Sequence, residues 1–510
     1  MAANVENTDR RVVPRWRTFR EALATNELSS SQIGKVAAIE GTPFLNEKES
    51  QWLANKELPF AVDLVSAATV LGESSTARAA AEFILENGSG VSLVAQQLAR
   101  GLLGIAVPAK ESVQHIPKQR LIHDVKELKA RRLTQSRNAF VWADLARLYV
   151  LLGQIEPARQ AIRIAINLAP AERFVLRSAT RFLLHSKDHE QALHLLRSNP
   201  RTPVDPWLTA AEIAVSSVVG KTPKFVRRGQ ELLKSADVPP FHTSELASAL
   251  ASLEMFEGNN RKANKLFVAS LKEPTDNALA QVVWASKRTG LGVVNSSLLQ
   301  TPNSSEAKTF DAYNRSQWSD VVIHANTWSQ HEAFSARPRL LASAVAASLL
   351  DEPQLSENIA RSGLEANPGN AALINNIAFA LIEQDKPEEA LKELSLADKN
   401  RITPVEAICL IATTGLAYFR VGAAEDGRRY YEAAIEAATR HNNQSMKALA
   451  KLYLARELVL QKNPDGFKEF RKAHEEAKKF QNTNLPHIAD HLAEKVMDAE
   501  IKQRPTIRKP

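Results

Sequence analysis

The sequence predicts an all-α, right-handed solenoid of antiparallel helix pairs, about ten of them. Three observations carry that prediction. Counting from Trp142, Leu145 follows at three residues, Ala146 at four, Tyr149 at seven, Ala158 at sixteen, Ile162 at twenty, Ala165 at twenty-three and Pro170 at twenty-eight. That is a bulky residue, small residues where two helices would cross, and a closing proline. The composition is 44% hydrophobic but only 6% aromatic, which suits small helix–helix crossings better than a β-rich core. The chain has 510 residues, a length at which one compact core is unusual, whereas a solenoid grows without such a limit.

The elements follow in order. Residues 1–57 do not fit the repeat and are expected to form a helical cap over the first exposed apolar face. The region 58–136 reads as divergent and helical. Gly72, Ala77 and Ala81 keep weak repeat spacing in 58–91, and "KQRLIHDVKELKARR" (118–132) reads as a basic amphipathic helix. The first half of the array, 137–291, opens with the pair at 139–170. There Ala146 and Ala158 allow close approach, Gly153 turns the chain, and Pro170 stops the second helix. Ala192 marks the crossing of the next pair, and a helix begins near Trp207, whose partner is made irregular by Gly220, Pro223, Pro239 and Pro240. A further pair has Gly258 at its turn, Ala263 at the crossing and Phe267 packing. Residues 292–307 mix Ser, Asn, Thr and Pro without helical periodicity and read as a joint. The second half, 308–480, carries Ala378 and Ala390 at contact positions, then Gly415, Tyr418, Gly422, Gly427, Tyr431 and Ala434 at full spacing. A last helix and a basic tail, 481–510, are expected to fray at the end.

The spacing at 139–170 resembles that of the tetratricopeptide repeat (TPR) superfamily, and the resemblance extends over about two-thirds of the chain, strongly in about four repeats. The middle of the chain also resembles bacterial TPR proteins. The resemblance implies a surface for holding partners, with the first helix of each pair lining a concave groove. Peptide-binding members of the family use basic residues and asparagines on those inner helices.

Enzymatic parts are absent from the sequence. There is no phosphate loop, no dinucleotide fingerprint and no nucleophile elbow, so no cofactor and no catalytic residue is expected. His185 with His189, and His487 with His491, each lie one helical turn apart, but a metal site needs a third ligand that the sequence does not supply. The single cysteine, Cys409, excludes an internal disulfide framework and fits a reducing compartment. No apolar run is long enough for a membrane span, and the polar start lacks a signal core. The expected location is the cytoplasm. The net charge of +8 is modest at this length and favours acidic partners only weakly.

Candidate binding residues fall in three places. Arg147 and Arg181 are one repeat length, 34 residues, apart, and so occupy equivalent positions on neighbouring first helices. Arg173, Arg177 and Arg181 succeed one another at four-residue spacing on one helix face. Four guanidinium groups on one wall suit an acidic ligand, because the planar fork grips a carboxylate or phosphate with two bonds. The other reading ties these arginines to nearby acids such as Asp144 and Glu172. Asn375 and Asn376 could bond the backbone of an extended peptide, or serve the preceding "NPGN" turn locally. At the amino terminus, Arg15, Trp16 and Arg17 combine guanidinium groups with a stacking ring, as single-stranded nucleic acid requires. Trp16 and Phe19 could equally be the buried side of a cap helix. The function these features predict is a non-catalytic scaffold or adaptor that docks an acidic or extended segment of a partner protein. The alternative is an accessory subunit of a nucleic-acid enzyme. The oligomeric state is not set by the sequence.

Overall fold

The computed structural model describes residues 10–25, 27, 41–71, 74–87, 93–105, 118–134, 136–235, 238–292, 294–398, 402–480 and 483–503. All regular elements among them are helical. They divide into two compact units, 20–112 and the remainder, which comprises 1–19 and 113–510.

A short helix α1 (Phe19–Ala24) lies at the boundary. The smaller unit holds α2 (Gly41–Ala54), α3 (Leu58–Leu71), α4 (Ser75–Glu86) and α5 (Leu93–Leu103). Ser74 caps α4 by accepting from the Ala77 amide at 3.0 Å. Trp52, Leu64, Val65, Ala77, Ala81, Ile84 and Leu102 form its own core. Trp52 of α2 packs with the helices that follow it. Residues 10–18 have no regular secondary structure and are not helical.

The larger unit begins with α6 (Lys118–Thr134) and continues in pairs. These are α7 (Ala139–Leu151) with α8 (Ile155–Leu168), α9 (Arg173–His185) with α10 (His189–Ser198), α11 (Pro206–Val219) with α12 (Val226–Lys234), and α13 (Pro240–Phe256) with α14 (Asn260–Ser270). Then α15 (Asp276–Thr289) is followed by a 3₁₀ turn, Ser296–Gln300, in the place of a second helix. The pairs resume with α16 (Ser305–Asn314) and α17 (Trp318–His331), α18 (Ala336–Leu349) and α19 (Pro353–Leu364), and α20 (Ala371–Ile382) and α21 (Pro387–Ser395). Two more, α22 (Pro404–Arg420) with α23 (Ala424–Arg440) and α24 (Gln444–Leu460) with α25 (Gly466–Ala477), precede the last helix, α26 (Leu485–Gln503). The basic tail at 504–510 lies outside the described residues.

The spacing rule has a direct physical expression here. Ala146 and Ala158 are wholly buried at their crossing, and Asn138 caps α7 by accepting from the Phe140 amide at 3.0 Å. In the α22–α23 pair the approach is closer still. A Cβ on Gly415 would lie 2.9 Å from the Gly427 carbonyl oxygen, and one on Gly427 would lie 2.6 Å from the Phe419 ring. The expected joint at 292–307 does not interrupt the core. One hydrophobic cluster runs from Ala251 to Val496 and includes Val294 and Leu299 from that stretch.

The array also coils back on itself. Gly153, at φ +70°, would bring a Cβ within 2.8 Å of the Glu365 carbonyl oxygen. The His185 ring packs edge-on to Phe334 at 6.1 Å. The first two pairs thus touch the loops that follow α17 and α19, and the first helices enclose a central groove.

Candidate peptide-binding groove

The groove is filled by the chain's own residues 10–19. This segment crosses the first helices in reverse order, from α15 and α13 back to α9 and α7. Because the segment up to residue 18 has no regular secondary structure, its main-chain groups need partners, and side chains of the array supply them. Gln281 Nε2 donates to the Arg10 carbonyl at 3.2 Å. Asn277 Nδ2 donates to the Val13 carbonyl at 3.0 Å. Arg147 Nε donates to the Trp16 carbonyl at 3.1 Å. The Phe19 amide donates to Asp144 Oδ1 at 2.9 Å.

The side chains of the segment occupy separate sites. Arg10 is 2% exposed and forks onto Glu306, with Nε to Oε1 at 3.0 Å and Nη2 to Oε2 at 2.9 Å. Its remaining donors reach Gln281 Oε1 at 2.7 Å and Asn277 Oδ1 at 2.9 Å. Arg15 is surrounded by three carboxylates, Asp276 at 3.1 Å, Glu332 at 2.8 Å and Glu306. Arg17 pairs with Asp276. Between them Trp16, 1% exposed, packs against Phe334 at 5.5 Å and Phe182 at 6.1 Å. Val12 joins Ala210, Ile213, Leu246 and Leu250 in an apolar cluster, and Arg11 lies over the Phe256 ring at 3.5 Å. Phe19 stacks on Phe140 at 4.2 Å.

Burial alone would raise the carboxylates here, but the guanidinium groups outweigh it. Arg10, Arg15 and Arg337 hold Glu306 well below the usual carboxylate range. Burial of Glu332 is likewise overcome by Arg15 and Arg181, which hold it at about 2. These groups are ionised at neutral pH.

The sequence-predicted arginine wall is present but differently engaged. Arg173 pairs with Asp205 at 2.7 Å, the residue that caps α11. Arg177 forks onto Glu245 of α13 at 2.9 and 3.3 Å and lies over Trp207. Arg181 lies over the Phe334 ring at 4.9 Å and faces Glu332. Arg147 grips the segment's main chain rather than an acid. The correction is one of charge and partner. Arg173 and Arg177 are neutralised by buried acids of neighbouring first helices, and the groove receives an arginine-rich segment instead of an acidic one. Glu172 caps α9, and the neighbouring Arg173 opposes the upward push of burial on its carboxyl, while Asp144 accepts from the Phe19 amide.

Arg15, Trp16 and Arg17 are buried, so in this conformation their forks and ring face protein carboxylates and phenylalanines rather than a nucleic acid. Asn375 and Asn376 are both wholly buried. Asn376 donates to Ser343 Oγ at 2.9 Å and to the Leu340 carbonyl at 3.3 Å. These bonds tie α20 to α18, while the preceding turn is served by Asn370, which caps α20. The groove residues absent from the sequence reading are Asp276, Asn277, Gln281, Glu306 and Glu332. Asn277 and Gln281, one turn apart on α15, were the available signal.

Among the described residues no cluster of ligating side chains could hold a metal ion. Burial, with Arg181 beside it, lowers His185 to about 4. His487 Nε2 sits 3.1 Å from Ser316 Oγ, and His491 pairs with Asp351. Burial pushes the Cys409 thiol up to about 11, which makes it a poor nucleophile. Among the described residues no helix is long and apolar enough to cross a membrane.

No family model and no curated protein matches the chain. Among solved structures it is similar to the crystal structure of the APC/C hetero-tetramer Cut9–Hcn1, at 11% identity and a TM-score of 0.37, over 94% of this chain and 95% of that one. It is also similar to an IFIT1 monomeric mutant with Gppp-AAAA, at 13% identity and a TM-score of 0.38, over 77% of this chain and 100% of that one. A human IFIT1 dimer with PPP-AAAA gives 14% identity and a TM-score of 0.38, over 77% and 99%.

Proposed function

We propose that the chain is a non-catalytic scaffold that docks an extended segment of a partner protein on the face lined by its first helices. The observation that carries this reading is the segment 10–19 lying on that face, with its main chain bonded by Gln281, Asn277, Arg147 and Asp144. Side-chain amides that offer both a donor and an acceptor can bind main chain whatever its sequence. The non-catalytic part of the reading rests on the motifs that the sequence lacks. The cytoplasmic assignment rests on its single cysteine.

Affinity capture tests the proposal. A tagged chain is purified before and after nuclease digestion, alongside the double variant Asn277→Leu with Gln281→Met, which removes the donors and acceptors of both amides at similar size. The expected result is a protein retained through digestion and lost from the double variant. Retention that ends with nuclease, or tight binding of RNA or DNA that falls steeply with salt as counterion release requires, would favour the accessory-subunit reading instead.

A further inference from the structure

We infer that the groove is a receptor for an arginine-rich extended segment of a partner protein, two arginines flanking an aromatic residue, and that residues 10–19 are an internal occupant the partner must displace. The inference rests on the scaffold reading above and adds the chemistry of the ligand.

Charge is the first argument. Asp276, Glu306 and Glu332 meet Arg10, Arg15 and Arg17 of the segment. From the array itself, Arg337 reaches Glu306 at 3.0 Å and Arg181 faces Glu332. With the segment gone, three carboxylates would face two guanidinium groups, and Asp276 would lose both ion pairs described for it. An arginine-rich ligand gives Asp276 a guanidinium partner again, which an acidic or neutral ligand does not.

Shape is the second. The Trp16 ring fills a slot between Phe182 and Phe334, flanked by the Arg15 and Arg17 sites. Buried ion pairs contribute little net stability, since desolvation offsets their attraction, and a well-packed apolar filling of equal volume is often as stable. A network of this kind selects an occupant more effectively than it holds a fold together.

The test uses the full chain with a protease site inserted after residue 30, so that cutting leaves 1–30 held without a covalent link. The probe is a fluorescent synthetic peptide of residues 8–19, read by anisotropy before and after cutting. A tethered occupant competes at roughly millimolar effective concentration, so the uncut chain should take up the probe at least about tenfold more weakly than the cut one. Replacing Trp16 by Ala in the probe, or Arg15 and Arg17 by Glu, should weaken uptake by roughly thirtyfold, as loss of an anchoring aromatic or arginine does at interfaces. If probes with every Arg changed to Ala or Asp enter equally well, the arginine specificity is wrong while the scaffold reading stands. If no probe enters, or if the cut chain loses its helical circular dichroism, the segment is a fixed structural strap. The receptor inference and the docking of partners in this groove then both fall.

Discussion

The two walls of the groove differ in where their partners come from. On the α9 wall, Arg173 and Arg177 reach Asp205 and Glu245, acids on the next two first helices, 32 and 68 residues away. On the opposite wall, Asp276 and Glu306 receive arginines that are 259 to 296 residues away in sequence. On the first wall Arg173 and Arg177 are paired within the array, while Arg181 of the same helix faces Glu332. The second is completed only by the amino-terminal segment. A buried charge pair of the first kind holds neighbouring repeats in register, whereas the second kind makes the groove's charge depend on its occupant.

The largest effect that separates the walls is expected at Glu306. Changing Glu306→Ala leaves the guanidinium groups of Arg10, Arg15 and Arg337 around an uncompensated buried site, at a cost of about 3–5 kcal/mol. Urea unfolding should show the loss, and trypsin should now cut at Arg10, Arg15 and Arg17. The matching change on the other wall, Arg177→Ala, should lower stability while leaving 10–19 protected. Equal release of the segment in both variants would mean that the walls act as one unit.

Acid provides the next test. Glu332 is held at about 2 and Glu306 well below its ordinary value of 4.5, so both bind protons more readily when unfolded. Their contribution is fully present above about pH 4.5 and is lost as pH falls toward 2, a change on the order of a few kcal/mol. Unfolding free energy measured from pH 6 downward should drop over that window, and Glu332→Gln should flatten the drop. Burial of His185, lowered to about 4, has the same sign and acts higher, between about pH 6.5 and 4.

The crossing alanines come next. Either Ala146→Leu or Ala158→Leu overpacks a filled crossing and should cost roughly 1–3 kcal/mol, read as a lower thermal midpoint. Unchanged midpoints in both variants would remove the assignment of 139–170 as a close-packed pair. The smallest effect belongs to Arg159, on the second helix α8, which pairs with Asp188 at 2.8 Å and Glu156 at 3.4 Å. Arg159→Glu should cost about 1 kcal/mol or less and leave the segment's protection unchanged.

Much of the array was legible because its signals are local. Ala146, Ala158, Gly153 and Pro170 mark one pair by spacing alone, and the α22–α23 crossing follows from Gly415 and Gly427. The 3₁₀ turn at Ser296–Gln300 was legible as an interruption, but not as one that leaves the core continuous. The candidate site was legible in part. Arg147 does line the groove, on a first helix, yet its partner is a main-chain carbonyl. Arg173 and Arg177 looked available because their acids, Asp205 and Glu245, lie outside their own repeat.

The sequence by itself determined the helices, their pairing and the small residues at their crossings, because each depends on side chains within one repeat of each other. The tertiary structure decided what the groove is for. Superhelical coiling brought α15, α16 and the loop after α17 opposite α7 and α9, and it placed Arg10, Arg15 and Arg17 among carboxylates from the middle of the chain. No periodicity encodes that meeting. It arises from small rotations accumulated over successive pairs, and it turned an apparently basic groove into one that holds arginines.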